Sequence, residues 1–265
     1  MTHPSPESPE EKLTENSLRL VDGRVPALVV CRGAPEEAGR RGTILFHHGF
    51  TADKQAQRPE LRGLARRGFL AVEIDAGGHG EQRFPDFETR FSGSGPDFQN
   101  ALLDVVEETA AQTPALIDDL SARGWARPGS IGMAGISMGG FITYRSLLLE
   151  RRLEAVVALL GSPRFFLDRP ASPHRHPDRF FPTALLSLTA GADECVDPAP
   201  ARELHRALTP LYAARPERLD HEEYPGAGHM VGEDVWKKMR RRMEQWFDRF
   251  LGGQQAGGPP LALLP

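Results

Sequence analysis

Gly135-Ile136-Ser137-Met138-Gly139-Gly140 is the stretch on which the reading of this chain turns. An apolar run, Ile131 to Ala134, leads into it, and a helix-like run from Phe141 to Leu149 leaves it. A G-x-S-x-G string means little by itself in a chain with 27 glycines. Its setting gives it meaning. A serine on a tight turn between a buried strand and a helix is forced into a strained backbone and projects its hydroxyl above the sheet edge. The glycines two positions either side follow from the same turn, because strand and helix there approach too closely for side chains.

Working outward, the chain alternates apolar runs with helix-like segments. Strands are expected at 17–21, 25–32, 43–47, 69–74, 130–136, 154–160, 183–190 and 219–224. The central ones, such as Thr43 to Phe46 and Ala155 to Leu160, are continuously apolar. That pattern suits strands buried on both faces of a parallel sheet. Helices are expected at 57–67, 98–123, 139–150, 199–208 and 232–251. The order predicts an α/β fold: a mostly parallel eight-stranded sheet with helices on both faces and no large cap domain. The first two strands, with no helix between them, suit an antiparallel edge hairpin. A single domain is expected over 16–251, between a disordered polar arm at 1–15 and a flexible Gly/Gln/Pro-rich tail at 252–265.

Composition narrows the partners. A hydrophobic content of 40% with 26% charged residues is that of a globular domain, and a net charge of −4 argues against nucleic acid or an anionic membrane. The two cysteines, Cys31 and Cys195, form neither a disulfide framework nor a metal motif, and no apolar run is long enough to span a bilayer. A cytoplasmic protein without cofactor or metal is expected. The basic residues are nearly all arginine. Arg240-Arg241-Arg242, among acids on the last helix, reads as a solvated helix face.

For Ser137 to act as a nucleophile at neutral pH, a general base must take its proton. His229, in Pro225-Gly226-Ala227-Gly228-His229 after the last strand, is the candidate. A carboxylate must then orient the imidazole and stabilise its positive charge. Asp193, in Ala190-Gly191-Ala192-Asp193-Glu194-Cys195-Val196-Asp197, fits, and Glu194 and Asp197 compete for the role. A developing oxyanion wants two backbone donors. The Met138 amide at the helix start is one candidate. The Phe50 amide, in His47-His48-Gly49-Phe50-Thr51, is the other. The remaining histidines read as structural or exposed, and Cys195 as a small buried filler.

These four motifs, in this order, resemble bacterial α/β-hydrolases over about residues 17–251. More narrowly they are similar to the branch related to prolyl oligopeptidase catalytic domains and dienelactone hydrolases. The resemblance implies Ser137 as nucleophile, Asp193 as acid, His229 as base, and Phe50 and Met138 as oxyanion donors. It departs from dienelactone hydrolases, which typically use cysteine where this chain has Ser137. The implied activity is a serine hydrolase working through an acyl-enzyme, a carboxylesterase on small to medium soluble esters. Peptidase or thioesterase activity is the rival on the same triad, and a non-catalytic binding protein on a hydrolase scaffold is the rival from another class. The loops at 75–97 and 161–182 are expected to form the pocket wall, and Phe50, Met138 and the phenylalanines of 84–98 to make a narrow apolar pocket suited to short acyl groups.

Overall fold

The computed structural model describes residues 12–251. The expected tail at 252–265 and the first eleven residues of the expected arm lie outside the described residues. The expected arm at 1–15 is too long at its end. Leu13–Leu20 form β1, and Glu15 pairs in register with Val30 of β2 (Val25–Arg32). The partner strand supplies hydrogen bonds that the polar sequence of residues 13–16 does not advertise.

The chain continues through α1 (Pro35–Arg41), β3 (Thr43–His47), α2 (Arg58–Arg66), β4 (Leu70–Ile74), α3 (Phe87–Arg90) and α4 (Pro96–Ala111). It then runs through α5 (Thr113–Ala122), β5 (Ile131–Ile136), α6 (Met138–Leu149), β6 (Leu153–Leu159), β7 (Ala184–Ala190), α7 (Ala199–Leu208), β8 (Leu219–Tyr224) and α8 (Glu233–Phe250). The eight strands form one sheet in the order β1-β2-β4-β3-β5-β6-β7-β8. β1 and β2 pair antiparallel, as does β2 with β4, and every later pairing is parallel.

Two apolar layers hold the sheet. On one face β-strand side chains such as Leu45, Val72 and Met133 pack against α5, α6 and α7 through Ile117, Tyr144 and Leu204. On the other face Ile44, Phe46 and Val157 pack against α2 and α8 through Leu61, Met243 and Trp246. A third cluster joins α4 to the outer side of α6. The edge strands carry charged residues, Glu15 and Arg19 on β1 and Asp220, Glu222 and Glu223 on β8, which discourages pairing with another sheet. Arg242 of the arginine run reaches from α8 to Asp220 and Glu222 of β8, so it ties the last helix to that edge.

The one long helix expected at 98–123 is two helices. Pro114 is the second residue of α5, and a proline inside a helix removes a hydrogen bond and clashes with the preceding turn. The chain bends at Gln112 and restarts. The short helix α1 was not expected, although Pro35 at its start, acids in its first turn and arginines in its last are ordinary helix signals.

Glu73, in the middle of β4, is fully buried among the apolar residues facing α2. Neither carboxyl oxygen has a donor in hydrogen-bond geometry among the described residues. Burial, reinforced by Glu60 nearby, raises its pKa well above the ordinary glutamate value, and the adjacent Gln57 backbone opposes this only weakly.

Candidate active site

Parallel strands deliver their carboxyl ends to the same edge of the sheet, which is where an open α/β sheet builds its sites. The candidate residues all leave that edge. Ser137 directly follows β5, Phe50 follows β3, Asp193 follows β7 and His229 follows β8. Parallel register therefore gathers residues 179 positions apart in sequence, from Phe50 to His229, before any side chain interacts.

Ser137 has φ 56° and ψ −115°, a conformation L-residues rarely adopt. Its N–H donates to Leu159 O at 2.8 Å, and its carbonyl accepts from Gly140 and Phe141. The flanking glycines are compulsory. A Cβ on Gly135 would lie 2.1 Å from Gly139 O, and one on Gly139 would lie 2.1 Å from His47 O. The close approach that permits the turn is thus between backbones.

Ser137 Oγ lies 2.9 Å from His229 Nε2, so the hydroxyl donates to that nitrogen. On the other side of the ring, Nδ1–H donates to Asp193 Oδ2 at 2.7 Å. Asp193 is buried, and its Oδ1 accepts the Cys195 and Val196 amides at 2.9 and 2.8 Å. The loops carrying Asp193 and His229 are themselves joined, by Ala192 N–H to Ala227 O at 2.9 Å. Asp197 is elsewhere engaged, capping the amide of Ala199 at the start of α7, and Glu194 is exposed. An oriented hydroxyl, imidazole and carboxylate in one line can move a proton from oxygen to nitrogen while the carboxylate stabilises the cation formed.

Met138 is the first residue of α6, where an N–H has no acceptor within the helix. The Phe50 N–H also takes no acceptor among the described residues. Gly49 brings this loop against the elbow: a Cβ built on it would sit 3.8 Å from Ser137 Cβ. Two unpaired amides therefore stand beside the serine.

Three side-chain ties hold the Phe50 loop, and residue reasoning missed two of their members. His48, expected to be merely structural, is fully buried and bridges two backbone segments. Its Nδ1–H donates to Gly49 O at 2.8 Å, and its Nε2 accepts from Ala76 N–H at 3.0 Å, which fixes the neutral tautomer. Burial lowers its pKa and keeps it neutral. Gly49 C=O and Phe50 N–H belong to one planar peptide unit, so fixing the carbonyl fixes where the amide points. Lys54 and Asp75 were overlooked. The carboxyl of Asp75 takes the Lys54 amide at 2.8 Å and its Nζ at 3.0 Å, and Nζ also reaches Glu81 at 2.7 Å. Burial would lower the Lys54 pKa, but Glu81 and Asp75 outweigh it and raise the value. A rare lysine in an arginine-rich chain was the available signal. Finally, the Phe50 ring packs on Phe87, Phe91 and Phe98 at centroid distances of 5.6, 5.0 and 5.4 Å.

Beside the serine opens a cavity of about 810 Å³. Its walls include Phe50, Phe98, Leu102, Met138, Phe141, Leu160, Phe166, Val196, Val231 and Trp236. Its walls are only partly the expected ones. Phe87 and Phe91 are spent packing beneath Phe50, and Phe98 alone of that group reaches the cavity. Of the 161–182 loop, Phe166 reaches it. Cys195 is exposed and lines the cavity, which corrects the expectation of a buried filler. Among the described residues, no group of three or more His, Cys, Asp or Glu is placed to hold a metal ion, and no helix is long and apolar enough to cross a membrane.

Fold and site together define a hydrolase architecture, and comparison with known proteins agrees. A model described as the alpha/beta hydrolase family matches residues 44–264, and the chain belongs to that family. A Bacillus subtilis protein bearing an esterase name, YitV, is 26% identical across 78% of this chain and 89% of its own. Among solved structures, TT1662 from Thermus thermophilus is similar with a TM-score of 0.76 and 23% identity, covering 93% of this chain and 100% of that one. A cold-adapted esterase from an Arctic intertidal metagenomic library has a TM-score of 0.64 and 20% identity, covering 95% and 100%.

Proposed function

We propose that the protein is a serine hydrolase that cleaves carboxylic esters through an acyl-enzyme, with Ser137 as nucleophile, His229 as general base and acid, and Asp193 as orienting carboxylate. The observation that carries this reading is the continuous hydrogen-bonded line from Ser137 Oγ through His229 to Asp193, at 2.9 and 2.7 Å. Ser137 Oγ attacks the ester carbonyl carbon as its proton passes to His229 Nε2. The negative charge that develops on the carbonyl oxygen is met by the amides of Met138 and Phe50, and by the N-terminal dipole of α6. His229 then gives its proton to the departing alkoxide, releasing the alcohol and leaving the acyl group on Ser137. Water, deprotonated by His229, attacks that acyl carbon, and the carboxylic acid leaves as the Ser137 hydroxyl is restored.

The relative bearing an esterase name supports an ester rather than an amide as the preferred substrate. Labelling by a fluorophosphonate probe, mapped to Ser137, tests the mechanism. Parallel rates for ester, thioester and amide of one acyl group test the bond type, with the ester expected to be fastest. Absence of labelling in folded protein would mean a binding protein on a hydrolase scaffold, and a faster amide would mean a peptidase.

A further inference from the structure

The cavity beside Ser137 is polarised in a way the triad does not require. Five aromatic rings, those of Phe50, Phe98, Phe141, Phe166 and Trp236, contribute to its wall. Apart from His229, the only ionisable carboxyl or basic side chain lining it among the described residues is Glu194, which is exposed. Glu194 makes no ion pair and no side-chain hydrogen bond among the described residues. It is therefore an acid whose charge nothing local has neutralised. No arginine or lysine lines the cavity, although the chain has 32 such residues. Behind the wall stands another carboxyl, because Trp236 Nε1–H donates to Glu60 Oε1 at 2.9 Å, with Arg240 approaching that carboxyl at 3.7 Å.

These facts act in one direction. A substrate carboxylate or phosphate entering here would lose its water and find no cation to replace it, and Glu194 would repel it. An ammonium group would meet aromatic faces and a free carboxylate, both of which attract it. A neutral apolar group would simply be buried. We propose that the site selects its substrate by charge, admitting neutral and cationic esters and rejecting those that carry a carboxylate or phosphate. The proposal rests on the ester-hydrolase reading above and adds the chemical class of substrate to it.

Three acetate esters of nearly equal shape make the test. 3,3-Dimethylbutyl acetate is neutral, choline acetate replaces its quaternary carbon with nitrogen, and 4-acetoxy-2,2-dimethylbutanoate replaces one methyl with a carboxylate. The expected order of kcat/KM is choline, then neutral, then anionic, with the anionic ester slower than the neutral one by roughly tenfold or more. Glu194→Gln should narrow the ratio of choline to anionic ester, and added salt should narrow it in the unaltered protein. A second arm needs no turnover: calorimetric binding of the three parent alcohols to Ser137→Ala protein should follow the same order. If none of the esters is cleaved, the ester reading fails, and the binding arm still decides on charge. An anionic compound handled as well as its neutral isostere, or a ratio indifferent to Glu194→Gln, would overturn the proposal.

Discussion

The serine elbow and the Phe50 loop lie side by side and present neighbouring atoms to the same cavity, yet different forces shape them. At the elbow, backbone meets backbone. Gly135, Gly139 and Gly140 are where they are because any Cβ would strike Gly139 O, His47 O or the Gly161 backbone. The loop has no such constraint. Its course is set by His48, by Lys54 with Asp75, and by the Phe50 ring in its aromatic cluster. One region is positioned by exclusion of atoms, the other by polar ties reaching 21 to 28 residues along the chain. The first should tolerate loss of its own side chain without moving, and the second should not.

The largest effect expected from this contrast is at Ser137. Ser137→Ala should cut ester turnover by about 10⁶-fold while leaving thermal stability nearly unchanged, because no hydrogen bond of that side chain holds the turn. Full activity in cleanly folded protein would remove Ser137 from the mechanism. Next comes the acid. Asp193→Asn should cost about 10⁴-fold in kcat by favouring the wrong imidazole tautomer, whereas Asp197→Asn, which touches only the start of α7, should cost little. The reverse ranking would assign the acid to Asp197.

His48 sharpens the comparison. His48→Ala frees the Gly49–Phe50 peptide to rotate and should lower kcat by about 10²-fold, the scale of losing one oxyanion donor, with KM little changed. A melting midpoint measured beside it separates this from general unfolding. If kcat holds, the ring cluster alone fixes the loop. The smallest effect concerns chain length. A cavity of about 810 Å³ belongs to the size range that takes whole drug-sized ligands, not a slot for acetate. Along a series of p-nitrophenyl esters, kcat/KM should therefore climb by up to about fourfold per methylene and continue past six carbons. A maximum at four would mean that the walls close on the acyl chain.

The same contrast explains what could be read from residues alone. Glycines dictated by contact sit within a few positions of the serine, so the elbow was legible, as were the apolar strands and their alternation with helices. Asp193 and His229 were legible because each follows a strand end in chain order. Asp193 is preferred to Asp197 in the sequence because it leaves the strand earliest; in three dimensions Asp193 faces the imidazole and Asp197 an amide of α7. The ties of the Phe50 loop were illegible, since nothing local links Lys54 to Asp75 or His48 to Ala76. The choice of rings that wall the cavity was illegible for a related reason. A phenylalanine in a long loop can face a cavity or pack beneath a neighbour, and composition does not distinguish Phe98 from Phe87.

Glu73 makes folding itself a proton-uptake reaction. In the unfolded chain this glutamate ionises near its ordinary value of 4.5, while in the folded sheet it keeps its proton to well above that. The sign follows. Its contribution favours the native state fully below the unfolded value and is lost as pH rises through the raised folded one. Glu73→Gln preserves the shape and removes the titration, so urea midpoints of the variant should decline less as pH rises above the ordinary glutamate value than those of the unaltered protein. Equal slopes would mean that Glu73 is already ionised when folded. The strand two places from the elbow in the sheet is held best while Glu73 keeps its proton. A rise in pH would thus weaken the sheet that carries the site through a carboxyl that takes no part in the reaction.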